Sequence, residues 1–470
     1  MAPLLYLLFM LHIPSAVRDF GRIFSREGYE LYIVGGAVRD ALLGKKVEDY
    51  DFATSATPSE VTDLFQRVIP TGLQHGTVTV LFGNHSFEVT TYRVDGSYSD
   101  HRRPDTITFT RSLEEDLARR DLTINAIALN PETGDVVDPL GGRKDLKDRV
   151  IRTVGSGDDR FREDALRMVR AVRFAATLDF TLLPDVARAI SRHAPLLGQV
   201  SQERIARELE KLMQARRPSG GWRLFRETGL LAQFLPELEE DRDSPWPVFE
   251  HLLSSCDCAP SDPPQLRWAA LFHDIGKPRC GATDERGLHF HGHDQVSATM
   301  AEEILLRLRF PKERIRSVAH LVRHHMFGYS PEWSDAAVRR FISRVGQEEA
   351  FLLTALRRAD ICGKTGSPPI LPDLDELEGR IRGILHQGQP LTRKDLAING
   401  KDLMSRIGIP PGPALGIVLE ELLETILDDP ERNTPETLLE IARAVYQARF
   451  HPSREERPPE EAPRDTSPGA

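Results

Sequence analysis

The sequence predicts an α+β chain in which a mixed-sheet head precedes an all-helical remainder. Three observations carry that reading. Short apolar or alternating runs of strand length, LYIV, TVTVLF and SFEVTTYR, recur between residues 31 and 93. RVIRTV, at 149–154, is the last strand-like run before a helical region. From Phe161 onward, as in FREDALRMVRAVRFAA, apolar residues fall at helical spacing. A length of 470 residues supports about three domains, and a hydrophobic content of 40% is enough to fill packed cores. The net charge of −10 argues against general coating of nucleic acid, so any RNA contact must come from a local patch. Residues 158–226, with a net charge of roughly +5, are the candidate. The four cysteines form neither a spaced metal quartet nor a disulfide framework, and reduced cytosolic thiols are expected even for the close pair Cys256 and Cys258.

Pro3 to Ile13 is almost wholly apolar, lacks a basic leader and a small-residue cleavage site, and is too short to span a bilayer. It is expected to be an upstream extension, with a short amphipathic helix following Ile13-Pro14-Ser15. Leu31 to Val34 then reads as a strand, and Gly35-Gly36 turn the chain into a helix near Ala37 whose free N–H groups suit phosphate. Asp49 and Asp51 stand one residue apart in a second strand and so point to the same face. Two carboxylates placed this way can hold a pair of Mg²⁺ ions, which clamp the attacking and leaving oxygens of an in-line phosphoryl displacement. Thr57-Pro58-Ser59-Glu60 opens the next helix, and TVTVLF and SFEVTTYR extend the sheet. Residues 93–105, with Asp100, Arg102, Arg103 and Asp105, read as a mobile loop. In DLARRDLTIN, 116–125, the forks of Arg119 and Arg120 suit triphosphate oxygens, while Asp121 can accept from a ribose hydroxyl. A salt-bridged helix end is the alternative reading there. Asp138-Pro139-Leu140-Gly141-Gly142 and RVIRTV close the head.

These motifs, in strand–turn–helix–strand order, resemble the nucleotidyltransferase superfamily, and in particular its class II tRNA nucleotidyltransferase and bacterial poly(A) polymerase branch. The resemblance runs from Ile13, where members of the family normally begin, to about Arg449. It is strongest over residues 31–54, 116–130, 161–176 and 266–278. It implies catalysis by Asp49 and Asp51 with Mg²⁺, and nucleotide binding by Gly36, Arg39, Arg119, Arg120, Asp121 and Asn125. By the same resemblance Glu88 sits near the metal aspartates, although a lone strand carboxylate is equally compatible with the surface. Leu122 stands where phenylalanine is commoner, a change that keeps the side chain apolar.

Glu163, Asp164 and Arg167 match the family's EDxxR base-reading motif. Asp164 and Arg167, three apart on one helix, are expected as neighbours on one face. A carboxylate acceptor beside an arginine donor matches the amino group and ring nitrogen of cytosine and adenine, and leaves uracil and guanine unpaired. Arg170 and Arg173 complete the expected nucleotide-binding set. With Arg204, Arg207 and Lys211 they continue a basic character that can track the backbone of an RNA stem.

Beyond Trp246 the composition shifts to Pro, Ser and Asp, and LRWAALFHDIGKP follows. His273-Asp274 ends an apolar helix, and His251 upstream with Asp360 downstream gives an H…HD…D order that resembles the HD phosphohydrolase superfamily. The resemblance implies a divalent transition metal on His251, His273, Asp274 and Asp360. His293, His324 and His325 are candidates for a second metal or for phosphate. On one helix His324 and His325 lie about 100° apart and cannot point alike. The tail is expected to hold helices near 374–386, 392–407 and 413–426, with a disordered proline- and charge-rich end over 451–470.

The expected organisation is a nucleotidyltransferase head over 13–150, a helical neck over 151–240, an HD helical domain over 245–365 and a helical tail over 366–450. The expected activity is template-independent addition of CCA to tRNA 3′ ends from CTP and ATP, in the cytoplasm and without a membrane partner. A CC-adding or A-adding specialist and a bacterial poly(A) polymerase share nearly every motif. The charged 93–105 loop leans against CC-only addition, and the acidic total leans against poly(A) synthesis. A reading of another class makes the head a nucleotide- or RNA-binding module and the HD centre the only working enzyme.

Overall fold

The computed structural model describes residues 13–96, 106–242, 244, 247–285, 287–367 and 370–450. The apolar stretch before Ile13, the loop residues Asp100, Arg102, Arg103 and Asp105, and the 451–470 end lie outside the described residues. By compactness the chain divides in two, residues up to 319 and residues from 320 on.

The first unit opens with the amphipathic helix Ser15–Arg26, which buries Val17, Phe20 and Phe24. The strands of the head are β1 (Leu31–Val34), β2 (Asp51–Thr54), β3 (Val68–Gly72), β4 (Thr77–Phe82), β5 (His85–Thr91), β6 (Arg93–Asp95), β7 (Ile107–Phe109), β8 (Ala128–Leu129) and β9 (Val136–Val137). Seven of them form one mixed sheet in the order β3-β4-β5-β2-β1-β8-β9, while β6 and β7 form a separate hairpin. β2 lies antiparallel to β1, with Asp51 opposite Val34, and parallel to β5, with Asp51 opposite Glu88. Because strand side chains alternate, Phe52 and Phe87 point away from Asp51 and Glu88. They pack with Phe20 at ring separations of 5.1 and 4.8 Å and with each other at 5.3 Å. One period-two pattern therefore builds an aromatic core on one face and a carboxylate pair on the other. The expected helix after Ala56 runs Pro58–Leu64 behind a complete Thr57/Glu60 capping box.

After the head the unit is mainly helical. The expected single helix over 161–176 is two helices, Gly157–Glu163 and Leu166–Leu178, with Asp164 in extended conformation between them. The second buries Met168, Val169, Ala171, Val172 and Ala175, and packs on helices Gln202–Met213 and Ser219–Glu227. Helices Phe249–Cys258 and Gln265–Phe272 lie side by side further on.

Among its described residues the second unit contains helices and no strand. The expected tail pieces are Pro372–His386, Gly400–Ile407 behind a short turn at Arg393–Asp395, and Pro413–Asp428, followed by Pro435–Phe450. The buried Arg339 donates to the carbonyls of Leu427 and Asp428, satisfying the C-terminal end of Pro413–Asp428. Among the described residues no helix is long and apolar enough to cross a membrane.

Cys256 and Cys280 are free thiols. On helix Phe249–Cys258 the sulfur of Cys256 is buried against Met213. Cys258 lies two residues on, about 200° around the helix, and is exposed.

Candidate nucleotide site

Gly35 adopts φ 71° and ψ −132°, a left-handed conformation that glycine tolerates without strain, and it turns β1 directly into helix Gly36–Leu42. A methyl group at Gly35 would stand 3.6 Å from an Arg120 nitrogen, and one at Gly36 would stand 3.5 Å from an Arg39 nitrogen. Those are ordinary van der Waals contacts, so at Gly35 the positive φ, and not lack of space, calls for glycine.

That turn opens on a cavity of about 560 Å³. Of the residues singled out in the sequence, Gly36, Arg39, Asp51, Arg119, Arg120, Asp121, Asn125, Asp164, Arg167, Arg170 and Arg173 all line it, together with Gly35, Phe174 and Lys211. Seven cationic side chains face three carboxylates, an excess that favours a polyanionic ligand. Asp49 stands in the loop just before β2 rather than in the strand itself, and its charge still reaches the Asp51 carboxyl. The carboxylate opposite Asp51 on the neighbouring strand is Glu88. Desolvation, and then the charges of Glu88 and Asp49, lift the Asp51 carboxyl above its usual range in spite of Arg120. Acids that repel one another in this way are relieved by a cation, and an all-oxygen donor set suits a hard ion such as Mg²⁺.

Each arginine in the wall is held by a carboxylate. The buried Asp116 accepts from Arg119 at 2.7 and 2.9 Å and from Arg120 at 3.0 Å. Burial pushes its carboxyl up, but the two arginines prevail and hold it below its usual range. Arg39 pairs with Asp40 at 2.8 Å and donates to the Asn125 side-chain oxygen at 2.8 Å. Both oxygens of Asp121 are engaged, one by Asn125 and the Leu122 N–H, the other by Arg170 at 2.7 Å. Asp121 thus anchors Arg170 to the head, and any hydroxyl it accepts from must share these oxygens. Arg170 also lies 3.7 Å from Glu208, which accepts from Arg173 at 2.6 Å and Lys211 at 3.2 Å. The guanidinium of Arg173 stacks 3.6 Å above the Phe174 ring, with those of Arg39 and Arg170 at 4.8 and 5.5 Å.

The base-reading pair is brought into the cavity by a different route from the one expected. Asp164, at the joint between two helices, caps the second by accepting from the Leu166 N–H at 3.1 Å and holds Arg204 at 2.7 Å. Arg167 binds Glu163 and the Arg119 carbonyl. The two are therefore not partners on one helix face, yet both line the same cavity.

Asp116, Glu208 and Phe174 were not among the residues expected in the site. Asp116 and Glu208 carried a signal: each falls on the apolar face of its helix, between Leu113 and Leu117 and between Ile205 and Leu212. An acid placed there is buried and needs a cation partner.

A second cluster forms in the first unit around the buried Asp274. The Nε2 atoms of His251 and His273 lie 3.1 Å apart and 3.4 and 3.3 Å from one Asp274 oxygen. His293 Nε2 lies 3.2 Å from the other oxygen. Backbone carbonyls of Ala270 and Phe290 orient His273 and His293 through Nδ1 at 2.9 and 2.7 Å, as metal-binding imidazoles are commonly oriented. Burial opposes ionisation of Asp274, but the His273 charge and the three imidazole hydrogen bonds hold it well below the usual carboxylate range. Asp360, His324 and His325 belong to the second unit. There Asp360 is buried and paired with Arg357 and Lys364, His325 is buried against the Val322 carbonyl, and His324 ends helix Lys312–His324 with its ring 4.6 Å from that of His320.

Residues 31–152 match the poly(A) polymerase head domain family, 179–242 the RNA- and SrmB-binding site of polymerase A, and 293–442 the tRNA nucleotidyltransferase domain 2 family. The chain is 38% identical over 420 residues to a CCA-adding enzyme of Geobacillus thermodenitrificans, covering 89% of this chain and 93% of the relative. It is 37% identical over 417 residues to one of Geobacillus stearothermophilus, covering 88% and 93%. A crystal structure of the Bacillus stearothermophilus CCA-adding enzyme in complex with CTP superposes with a TM-score of 0.73 at 33% identity, covering 93% of this chain and 98% of that one.

Proposed function

Because the chain belongs to the family of CCA-adding enzymes, we propose that it extends tRNA 3′ ends with C, C and A from CTP and ATP without a template. The observation that carries this reading is that a metal-suited carboxylate, a cationic wall and the Asp164/Arg167 pair share one cavity. Membership in this family implies a divalent metal in the head. Asp51 and Glu88, with Asp49 from the preceding loop, are the residues that would hold Mg²⁺, and that ion would neutralise charge on the α-phosphate and lower the pKa of the attacking ribose hydroxyl. Arg39, Arg119 and Arg120 hold the triphosphate, pre-aligned by Asp40, Asn125 and Asp116, so that little ordering remains when the nucleotide arrives. Asp164 accepts from the exocyclic amino group of cytosine or adenine, and Arg167 donates to the ring nitrogen. UTP and GTP would set a carbonyl oxygen against the Asp164 carboxylate and a ring N–H against the Arg167 guanidinium. The 3′-hydroxyl of the tRNA attacks the α-phosphorus, the new phosphodiester forms as the α–β bond breaks, and pyrophosphate leaves along the arginine wall.

The test is incubation of the protein with tRNA ending at the discriminator base and with CTP and ATP, singly and together. Two C residues from CTP alone and a complete CCA from the mixture are expected. Long A tails from ATP alone would overturn the reading in favour of poly(A) synthesis, and unchanged incorporation by an Asp49→Ala/Asp51→Ala variant would remove the head from the chemistry.

A second reading rests on the cluster around Asp274: His251, His273, Asp274 and His293 form an HD-type centre for a divalent transition metal, with phosphoester hydrolysis as its chemistry. Three imidazole nitrogens around one carboxylate, two of them oriented from behind, support it. Metal analysis of the purified protein should find about one equivalent in the wild type and a loss in His273→Ala, with CCA addition retained. Equal metal content in both would remove this centre.

A further inference from the structure

Helix Gln202–Met213 borders a second cavity. Its volume is about 380 Å³, and its walls are mostly apolar: Met213, Pro264 and Trp268 form the floor, and Arg207, Glu210, Lys211 and Gln214 the rim. Three observations indicate a ligand of definite chemistry. Lys211 lines both this cavity and the nucleotide site, so the two adjoin. Arg207 and Lys211 are exposed and lie one helical turn apart on the same side of the helix, and Glu210 on the rim is offset by Arg314 at 3.5 Å. The third observation is Trp268, which lines the cavity and whose buried indole Nε1 has no hydrogen-bond partner among the protein atoms, a costly state. The floor is also fixed in advance. The buried Arg267 donates to the carbonyls of Met213, Ala215 and Ala259, tying the end of helix Gln202–Met213 to helix Gln265–Phe272.

An apolar slot with a cationic rim and one buried donor suits an unstacked nucleobase with its phosphodiester. The transfer reaction indicates which base. The terminal nucleotide must bring its 3′-hydroxyl to the α-phosphate beside Asp51, so its own base stays in the main cavity with the incoming nucleotide. The nucleotide before it is the first that has to leave that cavity. We propose that the second cavity receives the base of the acceptor nucleotide immediately 5′ of the reacting 3′ end, packed on Met213, Pro264 and Trp268 with its phosphate on Arg207 and Lys211. This rests on the CCA-adding reading and adds an acceptor subsite to it.

The experiment uses the full-length protein and tRNA transcripts lacking the terminal A, with the penultimate nucleotide intact or abasic. Loss of that base should raise the KM for tRNA about tenfold while leaving the KM for ATP within twofold. Gln214→Trp, which fills the slot from an exposed rim position, and Trp268→Phe, which deletes the indole N–H within the same core space, should each raise the KM of the intact acceptor. Neither should add to the penalty of the abasic one. Equal use of intact and abasic acceptors by the wild type overturns the subsite whatever the variants do, and so does a KM change confined to ATP. In either case incorporation by the wild type leaves the transferase reading standing. Failure of the wild type to add any nucleotide would instead overturn that reading and the subsite with it.

Discussion

Glu208 sits where the cationic wall of the nucleotide cavity meets the helices behind it, binding Arg173 and Lys211 directly and lying 3.7 Å from Arg170. Removing one member of a buried ion pair strands the other charge, so Glu208→Ala should lower stability by about 3–5 kcal/mol, and Glu208→Gln by less. The pH dependence follows from the direction of its shift. Burial raises the Glu208 carboxyl, but the Arg173, Arg170 and Lys211 charges prevail and hold it below the ordinary range. A carboxyl depressed in the folded state adds stability that is fully present above its unfolded pKa, about 4.3, and is lost as pH falls through the lower folded value. Urea titrations of wild type and Glu208→Gln should therefore differ at pH 7 and draw together progressively as pH falls below about 4.3 and through the lower folded value. A constant difference across that range would show that the charge is not what matters. The sequence made this residue readable as a buried acid but not as a partner of Arg173, since that pairing depends on how two helices 35 residues apart cross.

Among the elements, the strand–turn–helix from Leu31 to Leu42 and the capped helix after Thr57 were legible, because each is specified by its own residues: an apolar run, a Gly-Gly turn, a Thr-Pro-Ser-Glu start. The pairing of Asp51 with Glu88 followed only from the resemblance, for strand order is not written in either strand. The break at Asp164 was not legible, since apolar spacing continues through it and the interruption is stabilised by contacts to Leu166 and to the distant Arg204. That joint makes a prediction. Asp164→Ala deletes the amino-group acceptor and loosens the start of helix Leu166–Leu178, so the kcat/KM preference for CTP over UTP should fall at least about tenfold. An unchanged preference, measured by single-nucleotide incorporation, would place base selection elsewhere. The opposite face of the sheet makes a purely structural prediction. Phe20 is fully buried against Phe52, Phe65 and Phe87, so Phe20→Ala should cost about 3–5 kcal/mol in denaturant unfolding. A cost below about 1 kcal/mol would mean that the N-terminal helix contributes little to holding the sheet.

At the scale of the whole molecule, an acidic chain acting on RNA must concentrate its attraction for phosphate. The total of −10 contrasts with roughly +5 over residues 158–226, and the cationic side chains of the nucleotide cavity beyond Arg120 all come from this segment. Long-range attraction should therefore be weak and the salt slope of tRNA affinity modest, because it counts only the small number of phosphate contacts whose counterions are released on binding. Arg216 and Arg217, exposed in the same segment just past helix Gln202–Met213, give a direct measure. If each meets one phosphate, the double reversal Arg216→Glu/Arg217→Glu should flatten the slope of log K for tRNA against log salt by roughly 1 to 2 and leave the KM for CTP unchanged. Reversal of Lys144 in the head, exposed on helix Gly142–Asp148, changes net charge in the same direction but lies outside the segment. It should leave the slope within error of wild type. Equal slopes for both variants would mean that the mean field, and not the local patch, governs binding, and the acidic total would then require another explanation for how the chain holds its RNA.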